Sequence, residues 1–241
     1  MTRIALADHR SLVPINLSPS ELVLSAALTC GIQTGASTIL NILRPRPGSS
    51  ICVIGSGSVG LAAALAARLT HPSNLTILDT SDAKLALIPS VLTSKSYVHT
   101  LNTADLKSED LVSRLKDSTH GAGFDYILDC AGSPAALTAT YPALGIRGTI
   151  VTVGGAAPGA KAEIEVNAQL IGGRTYRGTH QGDAVPGVFL PELIQLWKSG
   201  LFPFESLVTK YGFEEVDKAL EDLKEGKAVK ALFVTGSVEG T

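Results

Sequence analysis

Hydrophobic positions in this chain fall into short runs that alternate with segments of helical periodicity. Five apolar runs favour β-strands, at residues 50–54, 75–78, 97–101, 126–130 and 149–153, and residues 175–178 look like a sixth strand at the edge of the sheet. Helical patterns occupy residues 59–70, 109–118 and 134–144, and another begins near residue 81, where Pro89 is expected to bend or break it. Alternating strands and helices are typical of βαβ units, so the pattern predicts an α/β protein with a doubly wound parallel sheet.

The pattern changes near His180. Beyond it, two helical segments near residues 188–199 and 214–224 precede a last apolar strand at residues 231–234. We therefore expect residues 21–180 to form the parallel-sheet domain and residues 181–241 to contribute helices and a strand that pack beside it.

A glycine-rich turn links the first strand to the first helix. Residues 55–60 are Gly-Ser-Gly-Ser-Val-Gly, and Asp79 follows Gly60 by 19 residues, at the end of the next strand. Gly55 permits the tight bend, Gly57 lets backbone amides approach a pyrophosphate, and Gly60 lets helix and strand pack closely. The helix N-terminus adds free N–H groups and a partial positive charge. The series predicts a Rossmann dinucleotide-binding domain.

Asp79 distinguishes between the two nicotinamide dinucleotides. A carboxylate at this position is expected to hydrogen-bond the hydroxyls of the adenosine ribose. The same carboxylate repels a 2′-phosphate, and no arginine follows in residues 80–83. We predict that the cofactor is NAD(H) rather than NADP(H).

Composition and charge narrow the classes of partner. The 241 residues are 45% hydrophobic and 17% charged, with a formal net charge of −2. This balance gives no electrostatic reason to expect nucleic acid or an anionic membrane surface as a partner. The longest apolar stretch, residues 59–67, is far shorter than a membrane span, and the N-terminus has no signal-peptide core. The expected partner is a small-molecule substrate and the expected location is cytoplasmic.

Several stretches outside the glycine turn point to one family. They are residues 28–36, 43–48, 126–132, 174–178, 182–186, 202–204 and 226–230. Together they resemble the zinc-type alcohol dehydrogenases of the medium-chain dehydrogenase/reductase superfamily, especially the aryl-alcohol group. The resemblance implies that Thr34 and Val153 contact the nicotinamide, with Val59 behind its ring. It also implies that Lys84 reaches the adenosine ribose and that Lys230 contacts the pyrophosphate.

The chain also departs from that family. The resemblance implies a separate catalytic domain before this region, and we expect only its last strand to remain, within residues 3–14, so residues 1–20 are assigned to that remnant. Cys30 stands where the family has its third zinc ligand, but a catalytic zinc needs three protein ligands. The other cysteines, Cys52 and Cys130, lie in apolar runs and are expected to be buried, unreactive thiols. We predict that the chain binds no metal.

Few side chains remain as candidates for chemistry. His180 could act as a general acid near neutral pH, and the alternative is a half-buried histidine at a strand end. Cys30 could be a nucleophile if a base or helix end lowers its pKa, and the alternative is an unreactive thiol. Thr34 offers a hydroxyl beside the nicotinamide. Asp129 is expected to accept backbone hydrogen bonds at the sheet edge rather than act as an acid or base.

Three functions follow from these features. The first is a zinc-independent, NAD(H)-using oxidoreductase of truncated alcohol-dehydrogenase type, acting on a small lipophilic or aromatic alcohol or carbonyl compound. The second is a non-redox enzyme, such as an isomerase, lyase or cyclase, on the same scaffold. The third is a catalytically inactive nucleotide-binding module or partner subunit. The intact glycine turn favours the first, and the missing zinc ligands favour the other two.

The strand at residues 175–178 predicts self-association. The resemblance implies that this strand lies at the sheet edge and pairs with its copy in a second subunit, which gives a homodimer. An open edge carrying Ile171 and Tyr176 would otherwise favour aggregation. Apolar residues near the C-terminus should either repack beside the sheet or form an interface or cleft; they are Leu193, Leu196, Trp197, Phe202 and Phe204.

Overall fold

Six parallel strands form the central sheet of the computed structural model, which describes residues 6–92 and 96–235. The strands are β1 (Ser50–Ile54), β2 (Asn74–Asp79), β3 (Val98–Asn102), β4 (Phe124–Asp129), β5 (Leu144–Thr152) and β6 (Thr175–Gly178). Their order across the sheet is β3-β2-β1-β4-β5-β6. This is the strand order of a doubly wound dinucleotide-binding fold, so the predicted α/β Rossmann architecture is confirmed.

The helices of the described residues follow the predicted alternation and add three segments to it. They are α1 (Pro19–Ser25), α2 (Gly31–Ser37), α3 (Ser58–Arg68), α4 (Asp82–Leu85), α5 (Ile88–Leu92), α6 (Ser108–Asp117), α7 (Pro134–Thr140), α8 (Val166–Gly172), α9 (Pro186–Lys198) and α10 (Val216–Glu225). A π-helical turn, Thr38–Leu43, continues α2. The sequence pattern did not predict α1, α2 or α8. The helix expected from residue 81 is divided into α4 and α5, and Pro89 lies in the first turn of α5, where its missing N–H costs no hydrogen bond.

The C-terminal residues form a second, two-stranded parallel sheet. Strand β7 (Val208–Gly212) pairs with β8 (Lys230–Val234), and α10 connects them. The last strand was predicted, but its partner β7 was not. Phe202 and Phe204, just before β7, are fully buried in the same hydrophobic cluster as α3. Of the two outcomes expected for the C-terminal apolar residues, repacking beside the main sheet is the one observed.

The N-terminal strand expected within residues 3–14 is not found in the part that the structure describes. Residues 6–14 contain only a short 3-10 helix, His9–Ser11, capped by Asp8, whose side chain accepts a hydrogen bond from Arg10 N. Residues 3–5 lie outside the described residues.

Within the described residues, no single helix is both long enough and apolar enough to cross a membrane. One bent pair, Pro19–Thr29 with Gly31–Leu43 at 68°, meets the criterion by length and composition.

Candidate functional site

The glycine turn between β1 and α3 has the geometry that its sequence predicts. Gly55 has φ +95°, which side chains disfavour, and its N–H donates to Leu78 O on β2 at 2.7 Å. A Cβ at Gly60 would overlap the carbonyl oxygen of Gly55, so only glycine fits where α3 starts against the turn. A Cβ at Gly57 would meet no atom within 4 Å. The backbone of Gly57 is therefore open to a ligand.

Helix α3 directs its N-terminus at this open space. Gly57 is its N-cap, and no side chain in the described residues caps its first turn. The unpaired N–H groups and the partial positive charge of an 11-residue helix are thus available to an anion. The body of the helix consists of fully buried small and branched residues, which fix it against β1 and β2.

Asp79 lies at the end of β2 and faces the same turn. Its Oδ2 accepts hydrogen bonds from Ser56 N at 2.7 Å and Ser56 Oγ at 2.8 Å, and its Oδ1 accepts one from Ser81 N at 3.0 Å. Partial burial tends to raise the pKa of the Asp79 carboxyl, but these hydrogen bonds and the charge of Lys84 outweigh it and lower the pKa below its ordinary value. The side chain is therefore an ionised, oriented carboxylate at neutral pH.

A cleft of about 480 Å³ opens beside Asp79, along the carboxyl ends of four strands. Its walls include Gly55, Asp79 and Thr80 from the ends of β1 and β2, with Thr103 after β3 and Ala131 after β4. Helices α6 and α7 provide the apolar remainder of the wall. Ligands of doubly wound sheets bind at this edge, near the point between β1 and β4 where the strand order reverses.

The residues that are predicted to contact the nicotinamide lie on the side of the glycine turn away from the cleft beside Asp79. Thr34 is buried in α2, which packs closely on α3 because a Cβ at Gly35 would overlap Val59 O. Val59 is half-buried at this helix contact, and Val153, also half-buried, directly follows β5. The Val153 N–H donates to Asp129 O at 2.9 Å, which holds the end of β5 against β4.

His180 and Cys30 flank the same region and are both exposed. The residue after His180 is fixed to α2, because Ser37 Oγ donates to Gln181 O at 2.8 Å. Cys30 precedes α2 at a sharp bend in the backbone, with φ −137° and ψ −101°. His180 is exposed, so the alternative of a half-buried histidine at the strand end is wrong. The catalytic roles of Thr34, Cys30 and His180 remain predictions.

The two lysines implied by the resemblance lie in different surroundings. Lys84 is half-buried in α4, and a Cβ at Gly226 would meet Lys84 Cγ at 3.0 Å, so the C-terminal cap of α10 rests against this lysine. The charge of Lys84 acts on Asp79. Lys230 is half-buried at the start of β8, paired with Val208. It therefore lies on the small sheet rather than on the main one.

Asp129 satisfies backbone donors, as predicted. Its Oδ1 accepts hydrogen bonds from Ala131 N and Gly132 N, both at 3.0 Å. Burial raises the pKa of the Asp129 carboxyl, and these hydrogen bonds offset only part of that effect. The side chain organises the loop after β4, which forms one wall of the cleft.

The cysteines do not assemble a metal site in the described part of the chain. No group of three or more histidine, cysteine, aspartate or glutamate side chains there could hold a metal ion. Burial raises the pKa of the Cys52 thiol far above its ordinary range, and burial raises that of Cys130 as well. Both are poor ligands and nucleophiles, whereas Cys30 is exposed.

A second cleft includes Gln181, the residue after His180, in its lining. Its volume is about 600 Å³, and it separates the N-terminal segment from α9. Leu12, Val13, Leu28, Leu190 and Ile194 are among its apolar lining residues. Thr29 and Gln181, the neighbours of Cys30 and His180 in sequence, also line it, so this cleft adjoins the candidate catalytic residues.

Sequence reasoning missed two features of the site. Ser56 was treated as a variable position between two glycines, yet it is 1% exposed and donates twice to Asp79. Gly31 and Gly35, four residues apart, bring α2 against Ser58 and Val59. The spacing of these glycines was a usable signal for close helix packing, whereas nothing in the sequence showed the direction of the Ser56 hydroxyl.

The fold and the glycine turn define a Rossmann-type dinucleotide-binding protein. Comparison of the sequence with protein families gives a match to the family described as zinc-binding dehydrogenase, over residues 58–198. The chain therefore belongs to this family, and its relatives are alcohol dehydrogenases of the medium-chain superfamily, as the resemblance implied.

Among curated relatives, geraniol dehydrogenase from Castellaniella defragrans is 35% identical over 221 residues, covering 90% of this chain and 56% of that protein. Alcohol dehydrogenase class-2 isozyme 2 from Oryctolagus cuniculus is 30% identical over 85% of this chain and 52% of its own length. The chain thus spans just over half the length of these relatives.

Solved structures agree with the sequence comparisons. Benzyl alcohol dehydrogenase from Acinetobacter calcoaceticus superposes with a TM-score of 0.84 and 34% identity, over 93% of this chain and 59% of that one. An alcohol dehydrogenase zinc-binding domain protein from Burkholderia ambifaria superposes with a TM-score of 0.81 and 39% identity, over 92% of this chain and 57% of that one. These similarities support an oxidoreductase of alcohol dehydrogenase type.

Proposed function

We propose that this chain binds NAD(H) and takes part in hydride transfer between the nicotinamide and a small lipophilic or aromatic alcohol or carbonyl compound. The observation that carries the cofactor assignment is the ionised Asp79 at the rim of the cleft, with Ser56 as its donor at 2.7 and 2.8 Å. The open backbone at Gly57 fits a pyrophosphate, since no atom of the described residues lies within 4 Å of the position of a Cβ on Gly57. The residues present therefore fit a dinucleotide.

In this proposal the residues of the chain act by binding and orientation. Unpaired N–H groups at the start of α3 hold the pyrophosphate, Asp79 accepts hydrogen bonds from the adenosine ribose, and Lys84 lies within reach of the same ribose. Thr34, Val59 and Val153 orient the nicotinamide. The bound cofactor supplies the hydride chemistry. His180, exposed beside the apolar cleft, is the candidate proton donor to a carbonyl oxygen.

The substrate class rests on the apolar cleft and on the relatives. Half of the residues that line the cleft between the N-terminal segment and α9 are leucine, isoleucine or valine, and Arg10 also lines it. Two relatives are named for geraniol and benzyl alcohol, a terpenoid and an aromatic alcohol. Both observations support a lipophilic substrate rather than a charged one.

We further propose that this chain alone binds no catalytic zinc. Cys30 occupies the position of one family ligand, and the described residues hold no group of three suitable donors. Elemental analysis of the purified chain should give well below one zinc per chain. A stoichiometric zinc that is lost in Cys30→Ser would overturn this proposal.

A second candidate function is a nucleotide-binding module without turnover of its own. The single zinc-ligand position favours it, because the chain then lacks the Lewis acid that polarises a carbonyl in zinc enzymes. An NADH fluorescence titration, followed by assays with aromatic and terpenoid aldehydes, separates the candidates. Binding with turnover supports the oxidoreductase, binding without turnover supports the module, and no binding overturns both.

A further inference from the structure

Ser56 has an unusual relation to Asp79. It lies between Gly55 and Gly57, is 1% exposed, and directs both its N–H and its O–H at one oxygen of the carboxylate, at 2.7 and 2.8 Å. The other carboxylate oxygen accepts from Ser81 N at 3.0 Å. Three donors thus hold the Asp79 side chain, which lies at the end of β2, whereas the glycine turn follows β1.

The number of donors leaves room for a ligand. An ionised carboxylate has about four acceptor positions. Three are filled by Ser56 and Ser81, so the carboxylate is fixed in rotation while at least one position remains for a ribose hydroxyl. Because Asp79 lines the cleft, that free position is accessible to a dinucleotide.

The Ser56 hydroxyl is separable from its backbone. The N–H of residue 56 would donate to Asp79 with any side chain at that position, whereas the second donor requires a hydroxyl. Without it, the carboxylate loses one of two bonds on Oδ2 and gains rotational freedom. Hydrogen bonds to a charged group are among the stronger ones in proteins, so the loss of this bond matters for a ligand that the same carboxylate binds.

We propose that Ser56 is a positioning residue. Its hydroxyl holds the Asp79 carboxylate in the orientation that faces the adenosine ribose and thereby sets the preference for NADH over NADPH. This inference rests on the proposed function, since it assumes that Asp79 binds that ribose. The glycine pattern alone gives Ser56 no role in cofactor specificity.

Fluorescence titrations with NADH and NADPH test the role directly. Ser56→Ala should weaken NADH binding about tenfold and leave NADPH binding nearly unchanged, so the preference falls by the same factor. Ser56→Cys, a weaker donor of similar size, should give an intermediate loss. Ser90→Ala is the control, because it removes an exposed hydroxyl that donates locally to Leu87 O.

A double-mutant cycle excludes a merely structural effect. In an Asp79→Ala background, Ser56→Ala should cause no further loss of NADH affinity, because the hydroxyl then has no carboxylate to position. The proposal for Ser56 is overturned if Ser56→Ala leaves the ratio of NADH to NADPH affinity unchanged. It is also overturned if Ser56→Ala weakens NADH binding equally in the wild-type and Asp79→Ala backgrounds. Neither result would bear on the proposed function. If Ser56→Ala does not fold, the ratio of NADH to NADPH affinity in Ser56→Cys tests the proposal instead. A wild-type chain that binds neither dinucleotide overturns both this proposal and the proposed function.

Discussion

Asp79 combines two properties that bear on cofactor choice, namely a negative charge and a fixed orientation. Because it repels a 2′-phosphate, the wild-type chain should bind NADH at least about tenfold more tightly than NADPH, about 1.4 kcal/mol. Asp79→Ala should narrow the gap, by weakening NADH and relieving the repulsion of NADPH. Dissociation constants from fluorescence titration measure both effects.

A control for this prediction comes from the neighbouring loop. Asp105, an exposed carboxylate after β3, can be replaced by alanine with the same change in net charge. The Asp105→Ala chain should keep the wild-type preference. Equal affinities of the wild-type chain for the two cofactors would contradict the assignment of Asp79 to the ribose.

Asp129 is a second carboxylate whose surroundings predict a measurable pH effect. Burial raises its pKa above the ordinary value of 3.8, so the folded state holds the proton more tightly than the unfolded state. Its contribution to stability is therefore full below that value and is lost as pH rises through the raised pKa. Asp129→Asn cannot ionise, so its stability relative to wild type should improve as the pH rises above the ordinary value and through the raised pKa of Asp129.

Urea unfolding at several pH values measures this difference. Asp105→Asn serves as the reference for the loss of one carboxylate from an exposed position. A constant difference between wild type and Asp129→Asn over the whole range would show that the burial of Asp129 does not favour its protonated form.

At the level of elements, the contact between α2 and α3 depends on glycine. Although alanine improves helix propensity, a Cβ at Gly35 would overlap Val59 O and approach Ala63 N. Backbone atoms of a buried helix cannot move aside easily, so Gly35→Ala should lower the free energy of unfolding by about 3 kcal/mol, the upper end of overpacking costs. Chemical denaturation measures the change.

Gly187→Ala is the matched control. Gly187 is also helical, in the first turn of α9, but a Cβ there would meet no atom within 4 Å. This variant should be neutral or slightly stabilised. If both variants were equally stable, the close approach of α2 to α3 would not be a constraint on the fold.

The centre of the sheet was largely predictable from the sequence because strands β1, β2 and β4 are mostly buried. The core strands of a parallel sheet are continuous apolar runs, as in residues 51–54, and each run was located to within a few residues. Strand β6 was predicted with the bounds that the structure has, although all four of its residues are exposed.

The elements that were missed have weak local signals. Strand β7 is only partly buried and carries Lys210 and Gly212, so it lacks an apolar run. Helix α2 contains Gly31 and Gly35, which lower helix propensity, and it forms because it packs on α3. In the candidate site the glycines and Asp79 were predicted from spacing, but the hydrogen bonds of Ser56 depend on how two strands are placed and are not local in sequence.

At the level of the whole molecule, one edge of the sheet remains open. Strand β6 is the last strand in the order, it pairs with β5, and all four of its residues are exposed. Beside it, α8 presents Leu170 and Ile171, which are 77% and 76% exposed. An open edge flanked by exposed apolar side chains is typical of a protein–protein interface.

We therefore expect the chain to form a homodimer or larger assembly through β6 and α8, and light scattering at micromolar concentration should show more than a monomer. The double variant Leu170→Asp and Ile171→Asp should shift the chain to monomer, because it places charges in the interface while the side chains are exposed in the single subunit. Val188→Asp, at an exposed apolar position on α9, is the control and should leave the assembly unchanged. A wild-type chain that is a clean monomer would contradict the dimer, and a double variant that stays dimeric would locate the interface elsewhere.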